Sequence, residues 1–264
     1  MRELEKRIEE LLPRGRWRIF EAMRYTPLAG GKRLRGRILL SVAEDLGVKG
    51  MIDVAAAVEI FHAGTLVHDD MPEVDDAKTR RGRAANHLVF GQGMALLAGD
   101  GMFFRAFEIV SRWPKLIGKF SSVALEVLIG EAMDVEMEEL ERVEEKDIYE
   151  MYEKKTGALF GFSFSAPAIE KGMDWRGLDE LGRKFGVAFQ ILDDVKDVVG
   201  DPKELGKDTG KDVRKKTLVK IWGIERARRE ALEEIDSVID SLKEMGLRGT
   251  AELLRSSLET IERG

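Results

Sequence analysis

The segment VAAAVEIFHAGTLVHDD, residues 54–70, is almost wholly apolar until its last two residues. Its apolar residues recur at steps of three and four, which predicts an α-helix that is buried on most sides. Pro72 disfavours regular helix at the residue before it, so Asp69 and Asp70 are predicted to lie in the last turn. That end of a helix carries a partial negative charge, so two carboxylates there need a cation or a raised pKa.

More charge follows in the segment MPEVDDAKTRRGR, residues 71–83. Asp75 adds a carboxylate, and Arg80 and Arg81 add guanidinium groups that can bind a phosphate in bidentate fashion. Oxygen-only ligands suit a hard divalent cation such as Mg²⁺, which usually keeps open positions for phosphate oxygens. The alternative is a solvated acidic loop whose charges pair with one another, and this segment alone does not exclude it.

A second acidic segment, FGVAFQILDDVKDVVGD, spans residues 185–201. Its predicted helix is apolar except for one polar stripe, formed by Gln190, Asp193, Asp194 and Asp197. Asp193 and Asp197 are like charges four residues apart, which destabilises a helix unless a cation lies between them. We therefore predict that the two acidic segments line opposing walls of one cavity. The alternative is an exposed polar helix face.

Basic residues occur in three further segments: LAGGKRLRGR (28–37), YEKKTGALFGFSFSAPA (152–168) and ELGKDTGKDVRKKT (204–217). Their cations are Lys32, Arg33 and Arg35 in the first, Lys154 and Lys155 in the second, and Lys207, Lys211 and Lys216 in the third. Each segment alone is typical of solvated surface. Together with two carboxylate clusters, they predict binding of two pyrophosphate groups, one through metal and the other through side chains directly.

Helical periodicity runs through almost the whole chain of 264 residues, and strand signals are scarce. Because no linker-like segment and no repeat interrupts this pattern, residues 1–264 are predicted to form a single all-α domain. The formal net charge of −6 gives no support to nonspecific nucleic-acid binding. The absence of cysteine excludes thiol chemistry.

The sequence also bears on location and source. No apolar run reaches the roughly 20 residues that a membrane span needs. The charged N-terminal segment does not resemble a signal peptide, so we expect a cytoplasmic protein. One asparagine and two glutamines among many charged residues are typical of thermophilic proteins.

In the order of its motifs, the chain resembles the trans-isoprenyl diphosphate synthases, or polyprenyl synthetases. The resemblance runs from about Gly30 to Thr217. Its motifs are GGKRLR (30–35), HDDMPEVDDAKTRRG (68–82), KKTGALF (154–160), FQILDDVKD (189–197) and GKDTGKD (206–212). Five motifs in this order are far more specific than any one aspartate-rich segment. The resemblance implies an all-α helical bundle around a deep central cavity, usually in a homodimer, with a heteromer also possible.

The resemblance also implies roles for individual residues. The ligands of three Mg²⁺ ions would be Asp69 and Asp75 with Asp70 in support on one wall, and Asp193, Asp194 and Asp197 on the other. The groups that would hold an allylic diphosphate are Arg80, Lys155, Lys207 and Lys216. Those that would hold isopentenyl diphosphate are Lys32, Arg35, His62 and Arg81. Thr156 and Gln190 would face the reacting carbon.

The implied reaction is a magnesium-dependent condensation of an allylic diphosphate with isopentenyl diphosphate, by ionisation, condensation and loss of a proton. A clamp of metal ions and basic side chains would neutralise the departing pyrophosphate. Oxygen dipoles from the Lys155–Thr156 backbone and from Gln190 would stabilise the cation that remains. No side-chain nucleophile is required, which agrees with the absence of cysteine.

Product length is expected to depend on how far the growing tail extends along the helix that ends at Asp69. Gly64 and Thr65 are small, so no aromatic side chain is expected to stop elongation one turn below the metal ions. Phe61, one turn deeper, is the candidate floor, and the alternative is an ordinary core aromatic. We therefore expect a product longer than C15, with C20 geranylgeranyl diphosphate favoured and longer polyprenyl diphosphates as the alternative.

Two positions depart from the family pattern. Glu131 stands where many relatives carry glutamine, and the segment GKDVRKKT, residues 210–217, lacks a glycine that is common before its last lysine. The extra carboxylate could alter metal affinity or pair with a lysine. These departures keep open a regulatory or weakly active subunit of a heteromeric synthase. A terpene cyclase or head-to-head condensing enzyme would share the acidic segments without needing Lys32, Arg35 and Arg81.

Overall fold

The computed structural model describes residues 1–199 and 215–263. Its first half runs from the N-terminus through the helix that ends at the first acidic segment. These elements are α1 Arg2–Leu11, α2 Arg18–Tyr25, a 3-10 turn Pro27–Ala29, α3 Leu34–Asp45 and α4 Ile52–Asp69. A hairpin and three helices follow: β1 Thr79–Arg80, β2 Arg83–Ala84, α5 Asn86–Phe90, α6 Gln92–Val110 and α7 Pro114–Glu139.

The second half contains the helix of the second acidic segment and the helices that cover it. Its elements up to that helix are α8 Glu145–Tyr152, a π-helical turn Glu153–Gly157, α9 Ala158–Lys171 and α10 Arg176–Val199. The C-terminal helices are α11 Leu218–Trp222, α12 Ile224–Glu244 and α13 Arg248–Arg263. Helix accounts for 78% of the described residues, so the all-α class predicted from the sequence is confirmed.

Two helices form the centre of the bundle. Helix α4 is surrounded by α1, α3 and α6, and most of its side chains are buried, as expected for a helix that is apolar on all sides. Helix α9 is packed between α3, α7 and α10. The amphipathic helices α12 and α13 cover α10 and α3. Helices α4 and α10, which carry the acidic segments, are thus held in place by core packing.

The hairpin carries the arginine cluster, and its two short strands pair in antiparallel register. The turn residues Arg81 and Gly82 have φ angles of 54° and 72°, as a type I′ two-residue turn requires. Positive φ is uncommon for a residue other than glycine. The Arg81 side chain is held by hydrogen bonds that its Nη1 donates to the carbonyl oxygens of Gly30, at 2.6 Å, and Thr26, at 3.3 Å.

Within residues 1–199 and 215–263, no helix combines the length and the apolar character needed to cross a bilayer. The organisation of residues 1–264 as one domain stays a prediction from the sequence.

Candidate active site

Helices α4 and α10 open onto one cavity of about 450 Å³. Carboxylates of both acidic segments line it, so the two segments share one cavity, as the sequence predicts. The residues singled out from the sequence that line this cavity are Lys32, Arg33, Arg35, His62, Thr65, Asp69, Asp75, Arg80, Arg81, Glu131, Lys155, Thr156, Gln190, Asp193, Asp194, Asp197 and Lys216.

The first wall is formed by the end of α4 and the loop after it. Asp69 is the last residue of the helix, and its carbonyl oxygen accepts a hydrogen bond from the backbone amide of Asp75 at 2.9 Å. This backbone contact brings a second carboxylate to the same wall. Burial raises the pKa of Asp69 to about 8, and the nearby Glu131 carboxylate contributes to the rise. A cation bound at this wall would relieve that penalty.

Asp70 has a different environment from Asp69. Its side chain is buried, and the Arg80 guanidinium group donates to its Oδ1 from Nη2 at 2.5 Å and from Nε at 2.9 Å. Burial raises the pKa of Asp70, and Arg80 opposes the rise. The sequence predicts Asp70 as a supporting member of the metal site. In the structure it anchors the hairpin and holds Arg80 at the cavity.

The second wall contains Asp193 and Asp197, one turn apart on α10. Both oxygens of Asp194, on the same helix, are bound by protein groups. The Tyr152 hydroxyl donates to Oδ2, and Gln190 Nε2 donates to Oδ1 at 2.9 Å. Burial raises the pKa of Asp194 to about 7, and these two hydrogen bonds oppose the rise. Asp194 is thus held by protein groups on the wall where Asp193, Asp194 and Asp197 are predicted as metal ligands.

Lys155 lies in the π-helical turn between α8 and α9. Gly130 of α7 permits this turn to approach closely, because any side chain there would clash with the Lys155 backbone nitrogen. The Lys155 ammonium group lies 2.6 Å from Asp134 Oδ2 and 2.9 Å from Glu131 Oε2. Burial opposes the charge, but these carboxylates outweigh it and hold the pKa of Lys155 well above its ordinary value. The extra carboxylate of Glu131 therefore pairs with a lysine.

Thr156 follows in the same turn, and its hydroxyl group donates to Gln190 Oε1 at 2.8 Å. The two side chains predicted to face the reacting carbon thus contact each other. The π-helical turn itself was not evident from the residue pattern. Such turns are rare and occur frequently at functional sites.

Lys215 is a cavity residue that sequence reasoning missed. Its ammonium group lies 2.8 Å from Asp75 Oδ1 and 3.3 Å from Asp134 Oδ2, so it bridges the first wall and α7. Lys216, the residue chosen from the sequence, also lines the cavity. Lys207 lies outside the described residues. The sequence does show two adjacent lysines, Lys215 and Lys216, but it does not indicate which of them contacts the acidic wall.

A second group of cations comes from α3, α4 and the hairpin. Arg35 Nη1 lies 3.1 Å from His62 Nε2, and the Arg35 guanidinium group lies over the Phe160 ring, 4.3 Å from its centroid. Burial lowers the pKa of Arg35 and that of Arg81 to about 10 each. Burial and the Arg35 charge lower the pKa of His62 well below its ordinary value. This crowding of buried positive charge, together with the exposed Lys32 at the same cavity, favours a bound anion.

Three residues of α4 that the sequence associates with product length differ in their surroundings. Thr65 lines the cavity. Gly64 faces α6, where a Cβ atom would lie 2.8 Å from the Phe103 ring. Phe61 is 3% exposed, and its ring centroid lies 4.9 Å from that of Phe103. Gly64 therefore packs against Phe103, which joins Phe61 as a candidate floor.

The carboxylates on the two walls fit a hard divalent cation such as Mg²⁺, which prefers oxygen ligands. The residues that could hold it are Asp69, Asp75, Asp193 and Asp197. Within the described ranges, no three metal-ligand side chains meet closely enough to form a complete site by themselves. Mg²⁺ usually takes one or two carboxylates from a protein and completes its shell with phosphate oxygens and water.

The polyprenyl synthetase family model matches residues 17–248 of the chain. A geranylgeranyl pyrophosphate synthase of Geoglobus acetivorans is 37% identical over 293 residues, which cover 98% of this chain and 90% of that protein. The crystal structure of a geranyltranstransferase of Thermotoga maritima has a TM-score of 0.92 at 43% identity, over 100% of this chain and 97% of that one. A geranyltransferase of Helicobacter pylori, complexed with magnesium and isoprenyl diphosphate, has a TM-score of 0.87 at 27% identity, over 100% of this chain and 96% of that one.

Geranylgeranyl and farnesyl diphosphate synthases both occur among the relatives at similar identity. Thermophilic organisms are represented as well, in agreement with the low amide content of the sequence. The family match spans all the elements that build the cavity within the described ranges. The chain therefore belongs to the polyprenyl synthetase family, the trans-isoprenyl diphosphate synthases, and is a prenyltransferase.

Proposed function

We propose that this protein condenses an allylic diphosphate with isopentenyl diphosphate to give a longer trans-prenyl diphosphate. The observation that carries the proposal is the single cavity lined by both acidic segments and by two groups of cations. Lys155 and Lys215 lie beside the acidic walls, whereas Arg35 and Arg81 belong to the second group. Two separate cation groups suit two diphosphates, which a cyclase of a single prenyl diphosphate would not need.

The groups beside the acidic walls would promote departure of pyrophosphate from the allylic substrate. When the C–O bond breaks, pyrophosphate leaves with the electron pair and an allylic cation remains. Arg80, Lys155 and Lys215 present positive charge where the negative charge of the leaving group develops. Because their carboxylate partners already hold them in place, little reorganisation is required. Thr156 and Gln190 present oxygen dipoles that would stabilise the cation.

The second group of cations would position isopentenyl diphosphate. Arg35 and Arg81 would bind its phosphates, and neutral His62 would accept a hydrogen bond from Arg35 and keep that guanidinium group in place. The double bond of isopentenyl diphosphate then attacks the allylic cation and forms the new C–C bond. A proton leaves the adjacent carbon for the departing pyrophosphate, and this loss restores a double bond.

We propose that Mg²⁺, as three ions, is held by Asp69 and Asp75 on the first wall and by Asp193 and Asp197 on the second. When bound, it neutralises the pyrophosphate leaving group and raises the rate of ionisation. The raised pKa of Asp69 supports this assignment, because an ionised carboxylate that the protein itself compensates poorly gains most from a bound cation.

We propose C20 geranylgeranyl diphosphate as the main product. The support is the small size of Thr65, which lines the cavity near the first wall. The tail would run past Thr65 towards the cluster that contains Phe61 and Phe103. Those aromatic rings would set the end of the available space.

We also propose a homodimer formed through one face of α6 and α7, with a heteromer as the alternative. This face consists of exposed apolar side chains at helical spacing: Leu96, Leu97 and Phe104 on α6, and Leu125, Leu128 and Ile129 on α7. Phe104 is 74% exposed, and contiguous apolar surface of this kind typically marks a protein interface. Sedimentation should show that Phe104→Glu converts a wild-type dimer into monomer. A cytoplasmic location stays a prediction from the sequence.

The direct test of the proposed reaction is incubation of the pure protein with Mg²⁺, isopentenyl diphosphate and each allylic diphosphate in turn, followed by sizing of the products. We expect condensation with at least one starter and none with Asp193→Ala. A wild-type protein that condenses no starter would overturn the proposal. Activity that appears only when a second synthase subunit is added would instead favour the regulatory-subunit alternative.

A further inference from the structure

The hydroxyl group of Tyr152 joins three parts of the site. Tyr152 is the last residue of α8 and is 2% exposed. The hydroxyl donates a hydrogen bond to Asp194 Oδ2 on α10 and accepts one from the backbone amide of Leu218, 3.3 Å away at the start of α11. One buried hydroxyl group on α8 therefore contacts both α10 and the segment that begins at residue 215.

The hydrogen bond to Asp194 continues to the groups proposed to face the allylic cation. Asp194 Oδ1 accepts from Gln190 Nε2 at 2.9 Å, and Gln190 Oε1 accepts from the Thr156 hydroxyl at 2.8 Å. Asp194 Oδ1 accepts this hydrogen bond, so the amino end of the Gln190 carboxamide faces Asp194. The carboxamide oxygen is thereby directed towards Thr156.

The hydrogen bond to Leu218 concerns Lys215, three residues earlier in the chain. The Lys215 ammonium group reaches Asp75 and Asp134 across the cavity. Its backbone must be held at a fixed distance from those carboxylates for both contacts to form. The Leu218 amide, bound to the Tyr152 hydroxyl, supplies a nearby anchor. Tyr152 thus contacts the backbone support of Lys215 as well as the side-chain support of Gln190.

We propose that Tyr152 is a positioning residue for the condensation: its hydroxyl group withholds Asp194 from the metal ligands and fixes the orientation of Gln190 and the reach of Lys215. This inference rests on the proposed function. It assigns Asp194 a role distinct from that of Asp193 and Asp197, although all three lie on the same stripe of α10. It also assigns the positioning role to the hydroxyl group of Tyr152 rather than to its aromatic ring.

The substitution Tyr152→Phe isolates that hydroxyl group, because the ring stays in place. Because this change removes the hydrogen bond to the Asp194 carboxyl group, we expect kcat to fall roughly ten-fold. The KM for isopentenyl diphosphate should not change, because Arg35, His62 and Arg81 are untouched. Tyr149→Phe is the matched control, since Tyr149 lies on the same helix and is 41% exposed. A kcat for Tyr152→Phe within two-fold of the wild-type and Tyr149→Phe values would overturn the inference.

Combination with Asp194→Ala separates a specific role from general destabilisation. If Tyr152 acts through Asp194, the double variant should lose little more activity than Asp194→Ala alone, because both changes remove the hydrogen bond between the Tyr152 hydroxyl and Asp194. Fully additive losses would contradict an action through Asp194. Circular dichroism of each variant verifies that the compared proteins are folded.

Crystal structures of the wild type and Tyr152→Phe supply a measurement that does not depend on turnover. We expect the Asp194 carboxylate to leave its position beside residue 152 and the Leu218 amide to shift. An unchanged Asp194 and Leu218 would overturn the inference even in an active enzyme. A displaced Asp194 in a protein that condenses no starter would support the inference and overturn only the proposed function.

Discussion

Lys155 and Glu131 form an ion pair with 2.9 Å between Nζ and Oε2. This carboxylate would compete with a bound diphosphate for the lysine cation. We expect Glu131→Gln to lower the KM for the allylic diphosphate by roughly two- to five-fold, the effect of one partly exposed ion pair. Steady-state kinetics measure this change. Glu139→Gln, an exposed position on the same helix, should leave the KM unaltered, and an unchanged KM in Glu131→Gln would contradict the competition.

The contacts of Lys215 predict that its loss lowers activity more than the loss of Lys216 does. Because its ammonium group bridges Asp75 and Asp134, Lys215→Ala should lower kcat/KM for the allylic diphosphate by about ten-fold or more. Lys216 lines the same cavity, so Lys216→Ala serves as the matched control and should lower kcat/KM less. Kinetics of both variants at saturating isopentenyl diphosphate make the comparison. A larger loss in Lys216→Ala would reverse the assignment.

The aromatic cluster predicts a change in product length. Phe61→Ala and Phe103→Ala should both shift the products towards longer chains, because each removes a ring near the proposed end of the tail space. Product sizing by chromatography measures the shift. Phe185→Ala, in a different part of the core, should cost comparable stability, about 3–5 kcal/mol, without lengthening the product. An unchanged C20 product in both cluster variants would reject the floor assignment.

The environment of Asp69 predicts a pH dependence for the metal-free protein. Burial raises its pKa to about 8, whereas an aspartate in an unfolded chain has a pKa of about 3.9. Between these pH values the folded protein keeps a proton that the unfolded chain has lost, so the free energy of unfolding falls as pH rises. In the presence of a chelator, the Asp69→Asn variant should therefore melt at a higher temperature than the wild type at about pH 8. The difference in melting temperature should vanish near pH 4. A difference that is the same at both pH values would contradict this prediction.

The acidic walls are the part of the site that sequence reasoning predicts best. Asp69 and Asp193 lie on predominantly apolar helices, where an ionised side chain is costly unless it is compensated. Helical spacing assigns each to a definite face, and Pro72 indicates where the first helix ends. These rules act over a few residues, so they can be applied without knowledge of the fold.

The errors arise where orientation or distant contacts decide. Gly64 is five residues before Asp69, which places it about 140° away around the helix, whereas Thr65 is only about 40° away. Tyr152 and Asp194 are 42 residues apart, and their contact depends on how α8 packs against α10. Which of Lys215 and Lys216 pairs with Asp75 depends on the orientation of the backbone at these two residues. The Gly64 orientation follows from helical periodicity, whereas the Tyr152–Asp194 contact and the choice of lysine do not.

The central claim is that both acidic walls bind one departing pyrophosphate through shared metal ions. Anomalous scattering from crystals soaked with Mn²⁺ and inorganic pyrophosphate tests it most directly. The expected map contains ions at Asp69 and Asp75 and at Asp193, all in contact with the same pyrophosphate. Ions at one wall only, or a pyrophosphate bound away from both walls, would contradict the account.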